Sequence, residues 1–136
     1  MTRFYDIDEA NATVLELEAI VTVLAEQRTE LVRLRDHALA RSAGAGGGST
    51  EQLSDDELRL LRLRMQGLVD QMAAGVARID QLGLTLRDIE TGLVDFPALV
   101  AGRQVWLCWR RGEAAVEWWH ELDAGFGGRL PLSELA

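Results

Sequence analysis

The chain has few of the residue types that build disulfides and metal or thiol sites. It contains one cysteine, Cys108, and two histidines, and it has no lysine, so all 14 basic residues are arginine. A single cysteine cannot form an internal disulfide, which favours a reducing compartment, and we expect the cytoplasm. No apolar run of about eighteen residues is present and the N-terminus has no apolar signal core, so we expect no membrane association.

Basic charge is also scarce relative to acidic charge. The 136 residues carry a formal net charge of −8 at pH 7. Phosphate backbones and anionic lipid surfaces attract concentrated basic charge, so the balance argues against nucleic acid and membrane partners. With 48% hydrophobic and 26% charged residues, the composition is that of one small folded domain.

The first third of the chain has the pattern of a long amphipathic helix. Asp6 is followed three residues later by Glu9, the arrangement of an N-terminal capping box. Apolar residues then recur every seven positions from Ala10 to Ala38, which places them on one face of a helix. The sequence therefore predicts a helix over about residues 7–41.

A second amphipathic helix follows a glycine-rich segment at 42–50. Ser54 and Glu57 repeat the capping-box pattern. Apolar residues from Leu58 to Leu82 alternate spacings of three and four, which is typical of a helix–helix seam. Gly83 suits the position after a helix end. Two long helices joined by a flexible loop predict an antiparallel helical hairpin over residues 1–82.

After Gly83 the apolar period changes from seven to two. Val105, Leu107 and Trp109 fall on one side of a predicted strand, and Cys108 falls on the other. We expect a small antiparallel β-meander of about three strands within residues 84–121, followed by an irregular tail from Gly125. The predicted fold class is α+β, with the hairpin and the sheet region, residues 83–136, in one folding unit.

The apolar seam of the hairpin is longer than a small sheet can cover. An exposed apolar surface of this kind favours association, so we expect a homo-oligomer that buries Leu61, Leu68 or Met72, or a protein partner held by the helices. The leading hypothesis is a small self-associating accessory or binding protein with a polar site at the end of the sheet.

Residues 103–129 hold all four tryptophans, the cysteine, His120 and many charged residues. A histidine near carboxylates is a possible ligand set for a divalent metal. The candidate metal ligands are His120, Glu121, Asp123, Glu90 and Asp95. The alternative interpretation of His120 is a structural histidine hydrogen-bonded to one carboxylate.

Two further kinds of site remain open in the same segment. Arg129, Trp119 and Arg110 are candidates for binding an anionic or flat ligand, with Arg129 in a glycine-rich loop that allows close backbone approach. Cys108 and His120 are candidates for a thiol enzyme, since a histidine can activate a thiol. We interpret His37, late in the first helix, as a solvent-facing residue.

Several short motifs together resemble the DUF2203 family of uncharacterised bacterial proteins. They are Asp8-Glu-Ala-Asn11, Gly92-Leu-Val-Asp-Phe-Pro97, Gly102-Arg103, Leu107-Cys-Trp109, Gly112-Glu113, Trp119-His120 and Gly125-Phe-Gly-Gly-Arg129. One departure is Leu15, where the family is expected to carry proline. The resemblance implies no particular activity.

Overall fold

The computed structural model describes residues 2–43 and 53–135. Two long helices, α1 (Ile7–Ala43) and α2 (Asp55–Gln81), are followed by a five-stranded antiparallel sheet. The predicted α+β class is therefore confirmed. The predicted glycine-rich segment at 42–50 lies, apart from its first two residues, outside the described part of the chain.

Both helices begin where the capping boxes predict. The Glu9 backbone N–H donates to Asp6 Oδ1 at 2.7 Å, and the Asp6 N–H donates to Glu9 Oε1 at 3.2 Å. At α2, the Glu57 N–H donates to Ser54 Oγ at 3.1 Å. Gly83, with φ of 77°, adopts the left-handed conformation that ends a helix at little cost for glycine.

The chain forms two compact units, which we call the sheet unit (Met1–Ala25 and Gly75–Ala136) and the hairpin unit (Glu26–Ala74). In the hairpin unit the helices run antiparallel, with Gln27 Nε2 donating to Gln71 Oε1 at 3.3 Å and Leu34 buried. In the sheet unit, Leu24 packs so closely on Gly75 that a Cβ there would lie 2.9 Å from Leu24 Cδ2. These contacts are those of the expected helical hairpin.

The strands follow one another in the sheet in sequence order, as a meander. They are β1 (Thr85–Asp88), β2 (Leu93–Val100), β3 (Arg103–Arg110), β4 (Trp118–His120) and β5 (Leu130–Pro131). The prediction of about three strands within residues 84–121 was too low, because four strands lie there. The prediction of an irregular tail was wrong, because β5 in that tail pairs with β4. A strand of two residues has no readable alternation, so periodicity cannot reveal it.

The central strands divide their side chains between an inner and an outer face. Phe96 lies opposite Leu107 on the inner face, where Tyr5 packs edge-on against Phe96 with ring centroids 5.2 Å apart. The outer face carries Asp95 opposite Cys108. The inner face is thus the apolar core of the sheet unit, and the outer face holds a buried polar pair among apolar neighbours.

Among the described residues, no helix has both the length and the apolar character that crossing a bilayer requires.

Candidate functional site

Three side chains meet on the outer face of the sheet, one from each of three adjacent strands. Asp95 on β2 pairs with Cys108 on β3, while His120 on β4 pairs with Trp106, two residues before Cys108. Side chains two residues apart share a face of a strand, so all three point to the same side. Their ligand atoms lie within 4.8 Å of one another, and each residue is at most 2% exposed. We call these three residues the outer-face cluster.

The ring of His120 is held in one orientation. Its Nδ1 lies 2.8 Å from the carbonyl oxygen of Glu121. A carbonyl oxygen only accepts hydrogen bonds, so Nδ1 carries a hydrogen. Nε2 then faces Asp95 Oδ2 at 3.0 Å. A histidine that ligates a metal is usually held in this way, because a backbone carbonyl fixes the tautomer and directs the other nitrogen at the ion.

The carboxylate of Asp95 has one engaged oxygen and one without a partner. Oδ2 accepts from Arg87 Nε at 2.8 Å as well as facing His120. Oδ1 is buried and has no hydrogen-bond partner among the described residues. A buried acceptor left unsatisfied costs about 1–3 kcal/mol, and the remaining neighbour of the carboxylate is the Cys108 thiol, a weak donor that hydrogen-bonds to Asp95.

The thiol of Cys108 is protonated at neutral pH. Burial, aided by the negative charge of Asp95, raises the pKa of Cys108 from 9.0 to about 12, and the charge of Arg129 acts in the opposite direction. A thiol with these properties is not a free nucleophile. A coordinated metal ion would nevertheless remove its proton, as metals do from thiol ligands.

Arg129 connects the C-terminal segment to the sheet. Its Nη2 donates to Glu113 Oε1 at 2.7 Å and to the Cys108 carbonyl at 3.2 Å. Its guanidinium stacks on the rings of Trp118 and Phe126, with distances to the centroids of 5.0 and 4.7 Å. Arg129 therefore fixes the Phe126–Gly128 turn against the outer face, close to the cluster.

Of the other two ligand-binding candidates, Arg110 lies near Arg129, since both guanidiniums face the Phe126 ring, whereas Trp119 lies on the opposite face of the sheet. Trp119 is buried on the inner face, where its Nε1 donates to the Pro131 carbonyl at 3.2 Å. Arg110 is exposed, with its guanidinium 5.2 Å from the Phe126 centroid. A single flat or anionic ligand touching all three side chains is therefore not favoured by this arrangement.

Only two of the five predicted metal ligands lie close to each other. Asp95 and His120 come together, whereas the Glu121 carboxylate forms an ion pair with Arg103, and only the Glu121 carbonyl touches His120. Asp123 and Glu90 are exposed. Among the described residues, none of these three carboxylates belongs to the cluster. His37 is exposed in the hairpin unit, as expected.

Two participants were missed by reasoning from the sequence: Cys108 as a ligand beside Asp95, and Arg87 on β1. A signal for the first was available. The β2–β3 connection turns at Ala101 and Gly102, which have positive φ angles of 52° and 76°. Counting outward from a two-residue hairpin loop pairs Val100 with Arg103, and hence Asp95 with Cys108. No comparable signal identifies Arg87.

Comparisons with known proteins agree with the motifs. A search of curated proteins and a search of solved structures each found no match. The family model described as "Uncharacterized conserved protein (DUF2203)" matches residues 3–132, which include both helices and all five strands. The chain therefore belongs to the DUF2203 family.

Proposed function

We propose that this protein binds a divalent transition metal ion, with Zn²⁺ the best fit, through Asp95, Cys108 and His120. The observation that carries the proposal is the convergence of a carboxylate, a thiol and an imidazole within 4.8 Å, from three different strands, in a buried position. Three protein ligands leave a fourth coordination position for water or another ligand, as in many zinc sites.

The distances within the cluster fit a zinc ion closely for two of the ligands. Zinc bonds to histidine and carboxylate are about 2.0–2.2 Å long, so tetrahedral geometry places the two donor atoms about 3.3 Å apart. His120 Nε2 and Asp95 Oδ2 are 3.0 Å apart. The Cys108 sulfur lies within 4.8 Å of the other two ligand atoms, and a zinc–sulfur bond of about 2.3 Å would place it about 3.5 Å from each of them.

The chemistry of the donors selects the class of metal. A thiolate with an imidazole suits zinc and other soft or borderline ions, whereas Mg²⁺ and Ca²⁺ prefer sites made only of oxygen ligands. A zinc ion here would bridge β2, β3 and β4, and binding through both carboxylate oxygens would also engage the otherwise unpartnered Asp95 Oδ1. The ion would therefore stabilise the sheet, and a reducing cytoplasm would keep the thiol available for it.

The same observations weaken the thiol-enzyme alternative. Cys108 is fully buried and its pKa is raised to about 12, whereas a catalytic cysteine needs a lowered pKa and access to substrate. His120 directs its Nε2 at Asp95, so this nitrogen is not reserved as a base for the Cys108 thiol.

Zinc titration of chelator-treated protein by isothermal calorimetry tests the proposal. We expect about one ion per chain, since the cluster forms one site. His120→Gln and Cys108→Ser should each lose most of the affinity. Glu121→Gln is the matched control, because its carboxylate lies beside His120 in sequence but pairs with Arg103, and it should bind like the wild type. Absence of zinc binding by the wild type would refute the proposal.

A second candidate function is self-association through the hairpin unit. Leu39, Leu60 and Leu63 are 59%, 59% and 62% exposed, and exposed apolar side chains favour helix–helix contact. Of the residues expected at such an interface, Leu61 is already buried within the chain, while Leu68 and Met72 are half-buried. We therefore place the contact on the exposed leucines of α1 and α2.

Light scattering as a function of concentration tests this second candidate. We expect the wild type to exceed the 15.0 kDa mass of one chain and Leu63→Glu to weaken association, because a charge in an apolar contact is left unpaired. Leu15→Glu is the control, since Leu15 is 84% exposed but lies in the sheet unit. A strictly monomeric wild type at high concentration would contradict self-association.

A further inference from the structure

We infer that Arg87 determines the metal affinity of the outer-face cluster by competing with the ion for the carboxylate of Asp95. The inference rests on the proposed metal-binding function. It gives a role to a residue outside the ligand set, and it predicts that removing this residue strengthens binding.

The geometry places Arg87 directly on the carboxylate. Its Nε donates to Asp95 Oδ2 at 2.8 Å, the same oxygen that faces His120 Nε2 at 3.0 Å. An oxygen that a guanidinium and an imidazole both approach has little capacity left for an ion. A metal held by His120 Nε2 and Asp95 Oδ2 together must therefore displace Arg87 from Oδ2.

Charge leads to the same conclusion. Without a metal, the positive charge of Arg87 offsets the negative charge of Asp95. With Zn²⁺ bound, the ion, the Asp95 carboxylate and a Cys108 thiolate sum to zero, so Arg87 keeps its charge and loses its counter-charge. Like charges at this range disfavour one another even with partial solvent screening. Metal and guanidinium are thus alternative partners of one carboxylate.

The position of Arg87 allows its guanidinium to move away from the Asp95 carboxylate. It lies on β1, at one edge of the sheet, where the pairing with β2 shifts register between Leu86 and Asp88. Its side chain is 42% exposed and its guanidinium rests on the Trp106 ring, 5.0 Å from the centroid. A turn of this side chain into solvent would release Asp95 without moving the buried ligands.

The chain offers a matched control for this arginine. Arg103 also stacks on a tryptophan, 5.9 Å from the centroid of Trp119, and pairs with a carboxylate, that of Glu121. Its carboxylate partner is outside the cluster. Arg103→Gln therefore changes the net charge by the same amount as Arg87→Gln without freeing a ligand.

The experiment is calorimetric titration of the chelator-treated wild type and three variants with Zn²⁺ alone. We expect Arg87→Gln to bind at least about tenfold more tightly, because a full charge close to the ion is removed. We expect Arg87→Lys, which keeps the charge, to stay within about threefold of the wild type, and Arg103→Gln to do the same.

Each outcome separates the inference from the function on which it rests. Tighter binding by Arg87→Gln alone supports the inference. Unchanged or weaker binding by Arg87→Gln, with a wild type that binds, overturns it and leaves the metal site standing. Equal gains in Arg87→Gln and Arg103→Gln also overturn it, because net charge alone then accounts for the effect. No binding by any form overturns the metal site itself.

Discussion

Strands β2 and β3 bury a pair of residues at the centre of each face, and the two pairs are chemically opposite. On the inner face Phe96 and Leu107 are at most 1% exposed, and on the outer face Asp95 and Cys108 are likewise at most 1% exposed. The inner face is covered by apolar side chains, which include Tyr5. The outer face surrounds its polar groups with Arg87, Arg129 and the rings of Trp106 and Trp118.

The difference shows which face is specialised for stability alone. Apolar burial needs no partner, whereas each buried polar group needs a hydrogen bond or a counter-charge. The outer face leaves Asp95 Oδ1 and Arg129 Nε without hydrogen-bond partners among the described residues. An apolar pair at these positions would avoid that cost, so folding alone does not account for the polar residues of this face.

The largest expected effect concerns the inner face. Phe96→Ala removes a fully buried ring that packs on Tyr5 and should lower the free energy of unfolding by about 3–5 kcal/mol. Urea denaturation measures the change, and the difference from the wild type should persist when both forms are saturated with zinc. A loss below about 1 kcal/mol would show that this face is not the core of the sheet unit.

A smaller loss of stability is expected from the outer face. Asp95→Asn removes the charge that Arg87 and His120 contact, and the free energy of unfolding of the metal-free protein should fall by about 1–3 kcal/mol. We expect a value toward the lower end of this range, because Arg87 is partly exposed and solvent screens its charge. Urea denaturation in the presence of a chelator measures it. An increase in stability would contradict the ion pairs described here.

The gain in stability on zinc binding should depend on the ligands of the outer face and on no other residues of the sheet. At a free zinc concentration one hundred times the dissociation constant, the wild type should gain about 2.7 kcal/mol. Cys108→Ala should show almost none of this gain, while Leu99→Ala, a change at an exposed position of β2, should retain it. Equal gains in the two variants would mean that zinc binds elsewhere.

The smallest expected signal is the reactivity of the thiol. Cys108 is buried and its pKa is raised to about 12, so alkylation of the native metal-free protein at pH 7 should be far slower than that of the urea-unfolded chain. Mass spectrometry of samples quenched over time follows the reaction. Modification of the native protein as fast as that of the unfolded chain would restore the thiol-enzyme hypothesis.

Much of the fold could be predicted from local patterns. The capping pairs Asp6–Glu9 and Ser54–Glu57 involve residues three apart, and Gly83 marks the change from helical to strand periodicity. Such signals involve residues close together in sequence, so they can be recognised without knowing the fold. The fifth strand was missed because Leu130–Pro131 is too short to show a period.

The candidate site was harder to predict because it depends on pairing between strands. His120 and Asp95 were both proposed as ligands, but Glu121, Asp123 and Glu90 were proposed with equal weight. Alternation along β4 already argues against Glu121 beside His120, but only the register of β2, β3 and β4 selects Asp95 and Cys108. A register shift of one residue would reverse every side chain, so single-sequence reasoning cannot decide such a set.

The most direct test of the metal site is the absorption spectrum of the protein loaded with Co²⁺, a spectroscopic substitute for zinc with similar ligand preferences. If Cys108 is a ligand, the wild type should show an intense sulfur-to-cobalt charge-transfer band in the near ultraviolet, and the d–d bands should have the strength typical of tetrahedral sites. Cys108→Ser should lose the charge-transfer band, and zinc should abolish it in the wild type. A wild-type spectrum identical to that of aqueous Co²⁺, or a band that persists in Cys108→Ser, would contradict the assignment.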